Sequence, residues 1–195
     1  PAPKKDDTIN LIGVACFTPS HGYDRLIKAI GRYYENGGSR NLRFHVVGYG
    51  EAEKEYRELV SQYHIENHVI FYGKKCGKEL DDIYSKMDIG VCSLALFRVI
   101  KDAISSELKS REYMAKGLPM IASCSIDVIR SNDFKYVLYV NNDESDINID
   151  RIIEFYDCIY KTNDRVKTIK EIRKYAECSC SIEGAMKPIV CYFIE

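Results

Sequence analysis

The densest group of side chains capable of chemistry lies in residues 105–123, SSELKSREYMAKGLPMIAS, directly ahead of a short apolar run. Lys109, Arg111 and Glu112 fall on a predicted helix that leads into a predicted buried strand. Charged side chains are rarely buried without partners. This group therefore faces either solvent or a ligand.

Glu112 borders the apolar stripe of the predicted helix instead of opposing it. A carboxylate in that position is costly unless a neighbour donates hydrogen bonds to it. A ribose, with two adjacent hydroxyls, would be a suitable partner, and the side chain of Arg111 or Lys116 would serve equally well as a structural one. Lys109 and Arg98 would meet phosphate charge in the first case and would simply be solvated in the second.

A second candidate lies in residues 17–24, FTPSHGYD, where Gly22 stands at a predicted helix start and His21 immediately precedes it. A helix N-terminus attracts anions, and here an imidazole would lie beside it. The alternative is an ordinary helix start with an exposed histidine. The other histidines lie in or beside predicted strands and are interpreted as structural.

The strand-to-helix turn in VVGYGEAEKE contains Gly48 and Gly50. The absence of side chains there would let a phosphate or sugar approach the backbone N–H groups, although two glycines also suit an ordinary tight turn. The Gly-x-Gly-x-x-Gly dinucleotide pattern fails because residue 53 is glutamate. No Gly-x4-Gly-Lys-Ser/Thr pattern occurs, so the sequence favours neither an NAD site nor a P-loop.

Apolar segments alternate with helical patterns and predict where these residues lie. Six segments read as strands covered on both faces, which predicts an α/β fold with a Rossmann-like, doubly wound parallel sheet and helices on both faces. The strands are predicted over 8–17, 43–50, 68–73, 88–94, 119–123 and 136–140. From about residue 150 the pattern is helical only, over 149–160, 164–177 and a terminal apolar helix near 185–195.

Ligands bind outside the carboxyl ends of the strands in such sheets. The loops to inspect are therefore 17–22, 48–52, 73–78 and the long connection 93–109. A connection of that last length exceeds what the geometry requires, and excess length in a compact domain is typical of a functional loop.

Composition narrows the classes of function. The 195 residues suit one domain, and the net charge of −1 gives no pull towards nucleic acid or a membrane surface. No apolar run approaches the roughly 20 residues that cross a bilayer, so we expect a cytoplasmic protein. Eight cysteines are scattered without metal-ligand spacing, which predicts free thiols, no metal and no cofactor.

The order of four segments makes the chain recognisable: GVACFTPSHGYDRLIKAI, FHVVGYGEAEKEYREL, VIFYGKKCGKELDDIYSKMDIGVCSL and LKSREYMAKGLPMIAS. Together they resemble the carboxyl-terminal half of the bacterial group 1 glycosyltransferases, which are retaining enzymes of the GT-B fold. The resemblance implies a Rossmann-like domain that binds a nucleoside diphosphate sugar. It also implies a separate amino-terminal domain that binds the acceptor.

The resemblance assigns roles to particular residues. Glu112 matches the family glutamate that accepts hydrogen bonds from the ribose hydroxyls, and Lys109 with its loop would face the diphosphate. Gly48 and Gly50 would let the donor approach, and the backbone near Gly73 to Cys76 would meet the base. Further members of the expected donor site are Arg98, His21 and Gly22; the catalytic residue is left unassigned.

Two departures from the family pattern stand out. The common motif is Glu-x7-Glu, yet Ile104 stands eight residues before Glu112, with Asp102 or Glu107 as candidate replacements. Many members carry Arg and Lys in the first turn, where this chain has Cys16 and His21.

The expected organisation is a linker remnant at 1–8 and a donor-binding domain at 9–195, with the acceptor-binding domain absent from this chain. We expect a hexosyltransferase as part of a full-length enzyme that builds a surface polysaccharide or glycolipid, and an inactive isolated domain. Peripheral association with the inner face of the membrane would arise through the missing domain. The alternative functions are a non-catalytic nucleotide-sugar-binding module and a structural interaction domain.

Overall fold

The computed structural model describes residues 7–100, 104–129, 134–161, 164–182, 186 and 192. Within these residues six strands form one parallel sheet in the order β3-β2-β1-β4-β5-β6. The strands are β1 (Ile9–Cys16), β2 (Leu42–Tyr49), β3 (Val69–Gly73), β4 (Ile89–Val91), β5 (Met120–Ala122) and β6 (Val137–Tyr139). The predicted Rossmann-like, doubly wound fold is confirmed.

Helices cover both faces of the sheet because successive strand residues point to opposite sides. On β1, Leu11 packs into one apolar cluster and Ile12 into the other. The first cluster is covered by α1 (Tyr23–Glu35), α2 (Glu53–Gln62) and α5 (Ile149–Tyr160); the second is covered by α3 (Gly77–Tyr84), α4 (Leu108–Lys116) and α6 (Arg165–Ser179). Two 3-10 helices, Pro19–His21 and Leu96–Arg98, lie in the loops after β1 and β4.

The carboxyl-terminal helices are anchored to this sheet. Asn148 and Asp164 cap α5 and α6 through their side chains, as expected for these residue types. Arg165 at the start of α6 forms an ion pair with the fully buried Asp88 at 2.5 Å and donates to the Met87 carbonyl at 2.6 Å. The terminal helix predicted near 185–195 lies outside the described residues, apart from two isolated positions.

Strand β4 is shorter than the pattern over 88–94 predicts. Beyond Val91 the Cys92 N–H still bonds to Ile121, but the Ser93 and Leu94 N–H groups bond to Glu107 and to the His21 carbonyl. The backbone therefore leaves the sheet at Val91 and enters the long loop. No helix among the described residues has the length and apolar character needed to cross a membrane.

Candidate functional site

The sheet order reverses between β1 and β4, and this switch point is where a doubly wound sheet opens a crevice for ligands. The ladder between these strands ends at the pair Ile12–Gly90. Beyond this pair the buried Tyr113 hydroxyl connects the two strands in place of backbone hydrogen bonds. It accepts from the Val14 N–H at 3.2 Å and donates to the Val91 carbonyl at 3.1 Å. A tyrosine of α4 thus bridges the two strands below the crevice.

Two glycines of these strands make room for the rings at this point. A Cβ added to Gly90 would lie 2.4 Å from the Tyr113 ring, and one added to Gly13 would lie 2.6 Å from the Tyr23 ring. Tyr23 reaches the same Val91 carbonyl from the other face of the sheet, at 3.3 Å. Glycine is therefore required at both positions, because any larger residue would overlap the tyrosine ring that packs on the strand.

A partly buried carboxylate lies at the start of α4. Glu107, the N-cap residue of α4, accepts from the Ser93 N–H at 3.2 Å, from the Ser93 hydroxyl and from the Ser105 hydroxyl at 3.2 Å. Lys109 lies 3.5 Å away, and the two side chains are only 20% and 10% exposed. Burial alone would raise the pKa of Glu107, but Lys109 and the bonds from Ser93 outweigh it and hold this pKa below its usual value.

His21 faces the same charged group with one nitrogen already engaged. Its Nδ1 accepts from the Thr18 N–H at 3.1 Å, so the ring proton resides on Nε2. Burial, reinforced by the charge of Lys109, lowers the pKa of His21 to about 4. At neutral pH the side chain is an uncharged imidazole with an Nε2–H donor.

Gly22 brings the β1–α1 loop against the β4–α4 loop. Its φ is +63°, and an added Cβ would lie 2.6 Å from the Ala95 Cβ. The Ala95 N–H bonds to the Ser20 carbonyl at 3.2 Å and the Leu94 N–H bonds to the His21 carbonyl at 2.9 Å. The structure therefore unites three of the predicted site residues, His21, Gly22 and Lys109, and adds Glu107 and Ser93.

Gly48 and Gly50 lie where the end of β2 approaches the backbone at the end of β1 closely. A Cβ added to Gly48, whose φ is +129°, would lie 1.8 Å from the Ala15 carbonyl oxygen, and one added to Gly50 would lie 2.3 Å from that of Phe17. This observation favours the tight-turn alternative for both glycines. Their contact with a donor stays a prediction.

Gly73 ends β3 in a different environment. Its φ is +64°, and an added Cβ would meet nothing within 4 Å. Glycine is favoured here by the left-handed backbone and not by crowding. The loop that follows is open, which is compatible with the predicted contact with a base, and that contact stays a prediction.

Arg98 has its hydrogen-bonding capacity filled inside the fold. Its guanidinium bonds to both oxygens of Asp24 at 2.9 Å, to both oxygens of Glu144 at 2.8 and 2.9 Å, and to the Pro19 carbonyl at 3.0 Å. A contact between Arg98 and a diphosphate would require an exchange of these partners. The geometry gives Arg98 a structural role, and its contact with the donor stays a prediction.

Glu112 lies apart from the Glu107–Lys109 pair. Its side chain is half-buried and lines a surface cavity of about 570 Å³ between α4 and α6. Burial raises the pKa of Tyr84, and the negative charge of Glu112 raises it further. The two structural partners considered for it are engaged elsewhere, Arg111 with Asp127 at 2.7 Å and Lys116 with Asp81 at 2.6 Å. Its role as the ribose anchor stays a prediction.

Sequence reasoning missed the importance of Ser93 and gave Glu107 only a marginal place. Ile104, at the position of the absent motif glutamate, is 69% exposed, and Asp102 lies outside the described residues. A short Glu-x-Lys spacing at a helix start is the one local signal for the observed pair. Nothing local identifies Ser93, which is 14 residues away in sequence from its partner.

The comparison with protein families gives a match over residues 8–157, to the model for glycosyl transferases group 1. The chain belongs to this family. The resemblance stated from the sequence is thereby confirmed. No curated protein matches this family member significantly in sequence.

Solved structures of low sequence identity share the fold. HepE from Anabaena, in complex with UDP and glucose, has a TM-score of 0.67 at 14% identity over 96% of this chain and 48% of its own. The pneumococcal O-GlcNAc transferase GtfA, in complex with UDP and GlcNAc, has a TM-score of 0.60 at 20% identity over 88% and 32%. The carboxyl-terminal domain of the Francisella tularensis protein LpcC has a TM-score of 0.58 at 19% identity over 90% and 86%. This group 1 chain therefore spans about a third of GtfA, half of HepE and most of the LpcC domain.

Proposed function

We propose that this chain is the donor-binding domain of a retaining glycosyltransferase and that it binds a nucleoside diphosphate sugar at the β1–β4 crevice. The observation that carries the proposal is the joint position of the Lys109 ammonium and the neutral His21 at the switch point of a group 1 domain. The solved complexes of HepE and GtfA, which share the fold, contain UDP.

In this proposal Lys109 and the His21 Nε2–H receive the diphosphate. A preorganised cation and a neutral donor, held where water is largely excluded, stabilise the negative charge that develops as the sugar leaves. Glu112 accepts from the ribose hydroxyls, and the open backbone after Gly73 meets the base. The acceptor, a growing surface polysaccharide or glycolipid, is bound by a further domain, and the reaction takes place in the cytoplasm or at the inner face of the membrane.

Calorimetric titration of the chain with UDP, GDP and their sugars tests the donor site. We expect one nucleoside diphosphate to bind. Lys109→Met should lower the affinity for it at least about tenfold, because the variant loses one charge-assisted hydrogen bond. Lys170→Met, which removes an exposed ammonium from α6, is the matched control. Absence of binding, or equal affinity in the Lys109 and Lys170 variants, would count against the site.

A non-catalytic nucleotide-sugar-binding module is the second candidate. The observation in its favour is Ile104, an exposed apolar side chain at the position of the first motif glutamate. Turnover of the bound sugar by a protein that contains this chain and an acceptor domain distinguishes the two, because a binding module gives none.

A further inference from the structure

Both oxygens of the Glu107 carboxylate are occupied by groups of the chain itself. One oxygen receives the Ser93 hydroxyl and lies nearest to Lys109; the other receives the Ser93 N–H and the Ser105 hydroxyl. A carboxylate offers about four lone-pair sites, and four donors converge here. Glu107 is therefore poorly placed to accept hydrogen bonds from a sugar, as a direct replacement for the motif glutamate would have to do.

The Lys109 ammonium depends on this carboxylate. Its other contacts are the Ser93 hydroxyl at 3.3 Å and the face of the Tyr23 ring, whose centroid lies 5.6 Å away. Among the described residues, Glu107 is the one acidic side chain within salt-bridge distance of Lys109. Burial lowers the pKa of Lys109, and Glu107 opposes that decrease.

We propose that Glu107 is a positioning residue, which keeps Lys109 charged and directed into the crevice for the diphosphate of the donor. This inference rests on the proposed function for the identity of the ligand, but the coupling between the two side chains belongs to the free protein. It gives Glu107 a different task from the absent motif glutamate, because Glu107 acts through Lys109 and does not touch the sugar.

The ionisable groups described next to Lys109 titrate outside the pH range in which the experiment is done. The β1–α1 loop contributes His21, whose pKa is about 4; α1 contributes Tyr23, whose pKa burial raises well above its usual value; and the end of β4 contributes Cys92, whose pKa burial raises to about 12. None of these three groups titrates between pH 6 and 9. A change in this window that disappears with Lys109→Met is therefore a change at Lys109.

The first measurement needs no ligand. Titration of the Lys109 side-chain NMR signals in the free chain should show a lower pKa in Glu107→Gln than in the wild type, since burial then acts without an opposing charge. Asp127→Asn is the matched control, because it removes a carboxylate that pairs with Arg111 at the same end of α4. Its Lys109 titration should equal that of the wild type.

The second measurement uses UDP at pH 6.5 and pH 8.5. Between these pH values Glu107→Gln should lose more UDP affinity than the wild type, by up to about tenfold, because its Lys109 has the lower pKa and must be charged to bind the diphosphate. The double variant Glu107→Gln, Lys109→Met should lose this additional pH dependence. If UDP binds to none of the proteins while the Lys109 pKa falls as expected, the coupling is supported and the proposed function fails.

An identical Lys109 titration in wild type and Glu107→Gln overturns the inference, whatever UDP does. Should the glutamine variant fail to fold, Glu107→Asp addresses the same point, because the carboxylate remains but is drawn back by one methylene. A lower Lys109 pKa in that variant supports the inference, and an unchanged one overturns it.

Discussion

His21 differs from His45, which lies in β2, in what its second ring nitrogen does. Both ring nitrogens of His45 have partners inside the fold, Tyr72 at 3.0 Å and Asn10 at 3.2 Å, and His68 bonds to the Leu42 carbonyl at 2.9 Å. His21 uses only Nδ1 internally, and its Nε2–H has no acceptor among the described residues. A fixed tautomer and a low pKa therefore make His21 a ready donor, whereas His45 and His68 bond to groups of the fold itself.

The low pKa of His21 predicts a pH dependence of stability. In the unfolded chain the imidazole takes up a proton near pH 6.5, but in the folded chain only near pH 4. The unfolded state then binds more protons between these values, so the free energy of unfolding falls as the pH is lowered from 6.5 to 4. We expect urea unfolding of His21→Gln to lose part of this slope. His64→Asn, at an exposed position, should retain it; equal slopes in wild type and His21→Gln would contradict the prediction.

Substitution of Glu112 distinguishes the predicted contact with the ribose from a structural role of this side chain. Glu112→Gln keeps the shape of the side chain and removes the charge, so nucleotide affinity should fall about tenfold while the melting temperature changes little. The control is Glu177→Gln, because Glu177 lines the same cavity from α6. Unchanged nucleotide affinity together with a clearly lower melting temperature would show that Glu112 stabilises the fold and does not bind the ribose.

At the scale of elements, the β4–α4 loop is held by an ion-pair network at the crevice. Asp24 on α1 is 2% exposed and binds Arg98 through both oxygens, and Glu144 from the loop after β6 binds the same guanidinium. Burial would raise the pKa of Asp24, but Arg98 and Lys28 outweigh it and lower that pKa. Three segments that are distant in sequence meet at one side chain.

Removal of Arg98 should therefore destabilise the domain. Arg98→Met leaves the buried Asp24 with Lys28 as its remaining cation, and we expect a loss of about 3 kcal/mol in the free energy of unfolding, measured with urea. Addition of Asp24→Asn should recover part of this loss. Lys54→Met, which breaks an exposed pair with Glu58, should cost less than about 0.5 kcal/mol. A fall in UDP affinity without loss of stability would instead favour the predicted donor contact of Arg98.

At the scale of the whole molecule, the chain has a core on each face of its sheet and corresponds in extent to the carboxyl-terminal domain of LpcC. It contains one Rossmann-like sheet among the described residues, whereas the proposed reaction also requires a bound acceptor.

We therefore expect the chain to unfold cooperatively and to bind a nucleoside diphosphate without transferring sugar to an acceptor. Incubation with radiolabelled UDP-sugars and lipid or oligosaccharide acceptors provides the measurement. The same assay on a protein that adds an acceptor domain is the positive control. Robust transfer by this chain alone would show that the acceptor site is contained in it.

The amino-acid sequence by itself determined the alternation of strands and helices, since that depends on periodicities of about 2 and 3.6 residues that are local. It also placed His21, Gly22 and Lys109 at the carboxyl edge of a sheet, because the end of each parallel strand falls at that edge. The tertiary structure alone decided which side chains meet there. Arg98 reaches across 74 residues to Asp24, and Ser93 across 14 to Glu107. Hydrogen bonding and burial of those charges depend on how the loops pack, which no local spacing encodes.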